Sequence, residues 1–478
     1  MTKLKAGFSK AEITTKNGII NDPLFAKVLI LDNGTEKVVF ISLDCICIGG
    51  GIGGFSDNIF PSIRKCAEKY GIKFVICGTT HTHTPYEMTC DEDTVVSRVE
   101  DAISDAFGKM RYVKIGYGVG HEKSFCINRT LTLKDGTASS IRQAHPCPRD
   151  EDIEKVAYYD DSVRVIKIDL ENGSPFCVMF TYGCHPLLGY ANNGVTANYP
   201  GVAERLVKQE SGAEAMFFQS CGGDVTETDY KNYHKPKNCD YAGVLLGNEV
   251  LRVVKNIKTS DVDIKVSQKN VKFPLRSDYD MQIEKIKNER ISICDTLGGC
   301  PLDFKTFLPL YMKYLISPEY PLGYAYEYMK EEQDGKSELR EQDSINRGNI
   351  EKFLSNIKAM ERLSKLATTL ETLEWHKKHN QSYEKTEIDT EIAGIRIGKS
   401  IFVTAPVEPL SEIGRRVKKL SSDYEVSIIG YANGYFHYGA PCEVYNNGGY
   451  ETIESMLSAE WESVYMNTVL GIINDIKE

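Results

Sequence analysis

Basic blocks, long apolar runs, paired cysteines and repeats are all missing from this chain of 478 residues. Lysine and arginine number 57 against 67 acidic residues, a formal net charge of −10. No Lys/Arg stripe stands ready to neutralise phosphates, which argues against nucleic-acid binding. The acidity itself speaks only for solubility. No stretch approaches the roughly 18 apolar residues of a membrane span, and the start, MTKLKAGFSKAEITT, lacks an apolar signal core. A soluble, cytoplasmic protein without a transmembrane segment is therefore expected. The 14 cysteines are scattered, many in apolar runs, and none forms a Cys-x-x-Cys pair. Buried reduced thiols are expected rather than a disulfide framework or a cysteine-based metal site.

What is present is globular in composition, 41% hydrophobic and 26% charged. The length exceeds one ordinary core, so two domains or one large elaborated domain are expected. Phe25–Asp32 and Lys37–Ile48 read as a hairpin about Asn33-Gly34, and 58–70 as a helix ending at Gly71. A second hairpin covers 162–182, with helices over 95–107, 202–209 and 240–257 and strands over 215–220 and 260–275. Gly116–Gly120 (GYGVG) reads as a turn. From 278 to 380 the pattern becomes long, charged and helical, an elaboration suited to a lid, an oligomer contact or an interaction surface. Strand patterns return over 387–404 and 426–431, with a helix over 411–420. The fold class is α/β, mixed sheet layers with helices. Residues 1–275 and 385–478 are expected to form one large domain, interrupted by a mostly helical insertion at 276–384.

The segment Val75–Pro85, VICGTTHTHTP, sends an apolar strand into His81-Thr82-His83. Residues i and i+2 of an extended segment point to one side, roughly 6.6 Å apart, a common metal-ligand spacing. Of only nine histidines, three follow strong strand patterns: His81, His83 and His185, the last in Gly-Cys-His-Pro. A hydrolytic zinc site needs about three protein ligands and one position for water, which His81, His185 and a carboxylate would satisfy. Glu408 follows the strand IFVTAPV, although spacing alone favours its being a helix N-terminal acid. Gln219-Ser220-Cys221-Gly222-Gly223-Asp224 is a strand-to-glycine turn whose amides suit an anion or oxyanion. His121, His145, His234, His376 and His379 stand in polar contexts and read as surface residues.

Taken in order, these motifs resemble the neutral/alkaline (non-lysosomal) ceramidase family of zinc amidohydrolases, its catalytic domain only. The parallel runs from Gly7-Phe8-Ser9 to about residue 460. It includes Thr80–His83, Asn128-Arg129-Thr130, His185, Gln219 to Thr226, Glu408 followed by Gly414-Arg415-Arg416, and Gly430 to Tyr438 with Tyr450-Glu451. The resemblance implies zinc on His81, His185, Glu408 and Tyr438. It implies that His83, Arg129 and Tyr450 meet the substrate amide or its oxyanion, with Thr226 lining the site and Asp44 either behind it or capping a strand. The chain departs from the family at Thr84-Pro85-Tyr86-Glu87 and Thr226-Glu227-Thr228, and a lipid-associated β-sandwich domain and a secretory signal are not seen.

A zinc-dependent amidase is therefore expected, with His83 as the general acid for the leaving amine. Its N-acyl substrate is expected to be smaller or more soluble than membrane ceramide, since no apolar patch is evident in the sequence. The alternative is a zinc-dependent esterase, lactonase or lyase acting on a small polar metabolite or sugar derivative. A non-enzymatic scaffold using residues 278–380 is the third reading.

Overall fold

The computed structural model describes residues 3–51, 55, 58–83, 89–141, 147–232 and 234–477. Thr84–Glu87 and His145 lie outside them. The chain divides into two units. The first holds residues 1–142, 147–277 and 376–478, and the second 143–146 and 278–375.

The first unit is built on an eight-stranded mixed sheet. Its strands are β1 (Lys5–Glu12), β2 (Phe25–Asp32), β3 (Lys37–Leu43), β4 (Phe74–Thr79), β5 (Arg111–His121), β6 (Ser162–Leu170), β7 (Pro175–Tyr182) and β8 (Glu214–Gln219). They lie in the order β8-β7-β6-β5-β1-β2-β3-β4. Each half repeats one device: an antiparallel hairpin (β2/β3, β6/β7) followed by a parallel neighbour (β4, β8). The crossovers run through helices α1 (Phe60–Glu68) and α3 (Asn198–Ser211), and α2 (Glu92–Gly108) lies between them in the chain. β2 and β3 are apolar on both faces except at Lys27 and Ser42, and are buried accordingly, as strands covered from both sides must be. The sheet curls until its edges approach: Ser42 Oγ donates to Phe217 O at 2.6 Å, and the Phe40 and Phe218 rings lie 6.1 Å apart.

A second sheet of the same unit pairs β9 (Ile264–Pro274), β10 (Glu387–Ile397), β11 (Ser400–Thr404) and β12 (Glu425–Ile429) in that order. Its core is closed by a C-terminal helix, Trp461–Lys477, which buries Trp461, Tyr465, Val469, Ile472, Ile473 and Ile476. The sequence reading assigned no element there, although this 3–4 spacing is an amphipathic helix signal.

One expectation is overturned outright. GYGVG is no turn but the middle of β5, paired along β6. The glycines are required by helix α4 (Asp240–Asn256) and the residues after it. A Cβ on Gly116 would stand 2.4 Å from Ile257, and one on Gly118 2.8 Å from Val253. Glycine in a strand here marks close approach, not reversal.

The second unit contains α5 (Tyr279–Thr296), α6 (Phe304–Ile316), α7 (Ala325–Gln333) and most of the 44-residue α8 (Glu338–Gln381), whose residues from His376 belong to the first unit. Its core gathers Phe307, Tyr314 and Ile350, with Phe353 stacked 4.2 Å from Phe307. Helix α6 also exposes Phe304, Leu308, Met312, Leu315 and Ile316, an apolar stripe that the sequence reading did not see. No helix among the described residues is long and apolar enough to cross a membrane. All 14 cysteines are free, and nine of them are buried, which agrees with thiols used as small apolar side chains.

Candidate metal centre

The parallel strand pairs aim their carboxyl ends at one place, where crevices form in open α/β sheets. β4 and β7 of the large sheet deliver histidines. β11 and β12 of the small sheet lead to Glu408 and Tyr438, which face each other in a short parallel pair.

After β4, Thr80 N–H donates to Leu43 O at 2.9 Å and His81 N–H to Cys45 O at 3.0 Å. His81 then takes φ 62°, a left-handed conformation sparsely populated by residues other than glycine. The expectation that His81 and His83 sit side by side on an extended segment is thus corrected: they meet because the chain turns at His81. Their rings are 4.5 Å apart and their Nε2 atoms 3.0 Å. Tyr431, Asn433 and His437 also have positive φ, so strained backbone collects around this site.

The outer nitrogens of two histidines are committed. His81 Nδ1–H donates to Ile46 O at 2.6 Å, and His185 Nδ1–H to Gly222 O at 2.5 Å. In the neutral rings both Nε2 atoms therefore carry lone pairs. Glu408 Oε2 stands 2.9 Å from His185 Nε2 and 3.5 Å from His81 Nε2, with no hydrogen bond of its own. The other carboxylate oxygen accepts from Tyr435 O–H. Glu408, His81 and His185 are all but fully buried. Burial, and next the charge of Arg129, holds His185 down to about 4, which keeps this ring neutral at pH 7 with its Nε2 lone pair toward the carboxylate. Two imine nitrogens and a carboxylate oxygen converging in a dry site are the donor chemistry of a divalent cation, and they suit zinc. His83 adds a third ring nitrogen: those of His81, His83 and His185 all lie within 4.8 Å of one another.

Around this core, Tyr438 O–H lies 3.4 Å from His185 Nε2 and accepts from Arg129 Nη2 at 2.9 Å. Arg129 also donates from Nε to Glu451 at 2.9 Å and from Nη2 to Gly223 O at 2.6 Å. Its guanidinium carbon is 5.3 Å from the Tyr450 ring centre. Thr226 is buried beside His185, and its hydroxyl has no hydrogen-bond partner. The structure therefore gathers His81, His83, His185, Glu408, Tyr438, Arg129, Tyr450 and Thr226.

Four local readings change. Glu408 is not a helix N-terminal acid: it lies in the short pair with Tyr438, and the cap of α9 (Ser411–Lys418) is Leu410. The Gln219–Asp224 turn is no amide nest, because Gly222 N–H donates to Ser220 O and Gly223 N–H to Pro409 O. Its carbonyls instead orient His185 and Arg129. Asp44 touches none of these ligands, and of its two readings the strand cap agrees with the structure. It pairs with Lys27 at 2.7 Å and accepts from Phe25 N–H, inside a buried charge cluster with Glu204. His376 is fully buried rather than a surface residue, whereas His121 is exposed.

Two side chains have roles that the sequence does not reveal. Tyr435 bonds Glu408, and only the tyrosine density of its loop hinted at it. Gln219 clamps two strand ends, its side-chain nitrogen donating to Cys184 O at 2.7 Å and Thr80 O at 3.3 Å.

By fold the chain is similar to a ceramidase complexed with C2, with a TM-score of 0.61 and 14% identity over 99% of this chain and 75% of that one. It is similar also to the neutral ceramidase from Pseudomonas aeruginosa, with a TM-score of 0.60 and 15% identity over 99% and 74%. At these identities the likeness establishes a neutral-ceramidase-like α/β fold. No protein-family model and no curated protein sequence matches the chain.

Proposed function

We propose that the first unit is a zinc-dependent amide hydrolase of the neutral ceramidase type, acting on an N-acyl substrate. The observation that carries this reading is Glu408, a buried carboxylate facing two imidazole lone pairs. His81, His185, Glu408 and Tyr438 would hold the metal, with the helical unit an accessory to that domain. A bound zinc ion supplies Lewis acidity and acidifies water, from a pKa of 15.7 to about 7.

The chain's own groups supply the rest. His83 is kept neutral by burial, with His81, His185 and Arg129 adding to the effect. A neutral imidazole first accepts a proton and then returns it, here to the leaving amine, so His83 acts as base before it acts as acid. Tyr450, whose ring centre lies 5.3 Å from that of Tyr438, would offer its hydroxyl to the developing oxyanion, and Arg129 holds Tyr438 and Glu451 together beside it. The buried Thr226 hydroxyl remains to meet the substrate.

The substrate of this reading is smaller or more soluble than membrane ceramide, on the departures from the family pattern at Thr84–Glu87 and Thr226–Thr228. The small ester or lactone is the alternative.

The test is metal content and hydrolysis on wild type and His185→Ala side by side, with N-acyl amides of graded chain length and matched esters. Near-stoichiometric zinc and amide cleavage, both lost in the variant, are expected. Cleavage of esters alone would favour the alternative. Equal metal in both proteins would remove His185 from the site.

A further inference from the structure

Three residues outside that site make a second constellation of the same chemistry. His376 Nε2 lies 2.9 Å from Glu454 Oε2, and the His376 and His437 rings are 4.7 Å apart at 81°. One ligand atom from each of His376, His437 and Glu454 lies within 4.8 Å of the others. We propose that these three residues form a second metal site, for zinc or another first-row divalent cation, which ties together the segments carrying Tyr438 and Tyr450.

Several independent features support a built site. Two histidines and one carboxylate are an established ligand set for zinc. Tetrahedral ligands at 2.0–2.1 Å stand roughly 3.3 Å apart, so the 2.9 Å contact needs only a small opening to admit an ion. Both imidazoles are buried, whereas the Glu454 side chain is 19% exposed. The site is thus dry at its nitrogens and open to solvent at its carboxylate. His437 Nε2–H donates to Gly50 O at 2.9 Å, a carbonyl contact of the kind that orients metal-bound imidazoles. His437 is held at φ 58° to reach this position. His376 is fixed by its helix, where Asn380, one turn on, donates to Met456 O at 2.9 Å.

Connectivity gives the site its purpose. His437 directly precedes Tyr438, whose hydroxyl lies 3.4 Å from His185 Nε2. The His437 carbonyl accepts from Glu408 N–H at 2.8 Å, and His437 bridges to Ser455. Glu454 caps the short helix Tyr450–Ile453. An ion here would fix both tyrosines of the first site from behind. The competing arrangement is a plain Glu–His–His hydrogen-bonded clamp, which needs no ion.

The experiment is metal counting on the full chain, stripped with chelator and reloaded with Zn²⁺, then with Co²⁺ for its visible spectrum. Wild type should hold about two ions per chain, and His185→Ala, His437→Asn and Glu454→Gln about one each. The double variant His185→Ala/His437→Asn should hold none, with two distinct cobalt spectra in the single variants. Glu454→Gln preserves the shape of the side chain, so its loss of one ion is not a folding effect. Wild type with one ion, kept in Glu454→Gln and lost in His185→Ala, would overturn the proposal and leave the clamp. One ion kept in His185→Ala but lost in Glu454→Gln would sustain it while sinking the reading of the first site.

Discussion

Two buried carboxylates in this chain are surrounded by opposite kinds of atom. Asp343, in the helical unit, accepts from Tyr314 O–H at 2.9 Å and Tyr328 O–H at 3.0 Å. Donors meet an acceptor, and the charge is settled within the protein. Glu408 receives one such hydroxyl, from Tyr435, while its second oxygen faces two acceptor nitrogens. Burial alone does not separate them, since both are about 4% exposed or less. What separates them is whether the neighbours satisfy the group or share its need. Residues 278–375 hold no histidine, and among their described residues no non-glycine has a positive φ. The helical unit is built to be stable, and the strand ends of the first unit are built to hold something.

The largest break in this comparison is a charge removal. Glu408→Gln should lose its zinc and reduce turnover by more than about 100-fold, beyond the 10–100-fold of changes behind a ligand. Asp343→Asn should leave turnover where it was. Elemental analysis and an amide-hydrolysis assay read both, and retained zinc in Glu408→Gln would erase the distinction.

A third carboxylate sharpens it. Glu227 is buried and accepts only backbone N–H groups, from Leu187 at 3.0 Å and Leu188 at 3.3 Å. Burial outweighs those bonds and pushes it up to about 7. With an unfolded value near 4.3, the native state binds the extra proton between these limits. Stability should therefore fall as pH climbs from about 4.5 to above 7, by up to about 3 kcal/mol. Glu227→Gln should flatten that slope in urea unfolding across pH 5–8. An unchanged slope would mean that the carboxyl is ionised throughout.

Tyr435→Phe removes only the donor on Glu408. It should weaken zinc binding by about 10–100-fold while barely moving the melting temperature, as chelator competition would show. A variant with normal zinc affinity would make that hydroxyl a matter of packing.

The strands that carry the histidines were legible because each is an apolar run ending in small residues, a local property. So were the hairpins and the helical stretch after residue 278. What escaped reading depends on partners far along the chain. GYGVG looks like a turn until α4 is laid against it. His376 sits among Trp375, Lys377 and Lys378, which read as surface, yet it is buried beside residues 61 and 78 positions away, His437 and Glu454. Glu408 stands three residues before a helix, and nothing local reveals that His81 and His185 face it. The candidate site was therefore readable as a set of residue types, and the donors and acceptors that decide their roles were not.

The smallest predicted effect tests the helical side of the comparison. Asp343→Ala leaves two tyrosine hydroxyls without their acceptor, which costs about 1–2 kcal/mol for buried polar groups. The loss should appear in chemical denaturation, and Tyr328→Phe in the Asp343→Ala background should cost little more, because the shared bond is already gone. Zinc content should be untouched in both variants. If zinc fell with Asp343→Ala, the helical unit would be part of what holds the metal, and the division between a stable unit and a binding unit would fail at the carboxylate that defined it.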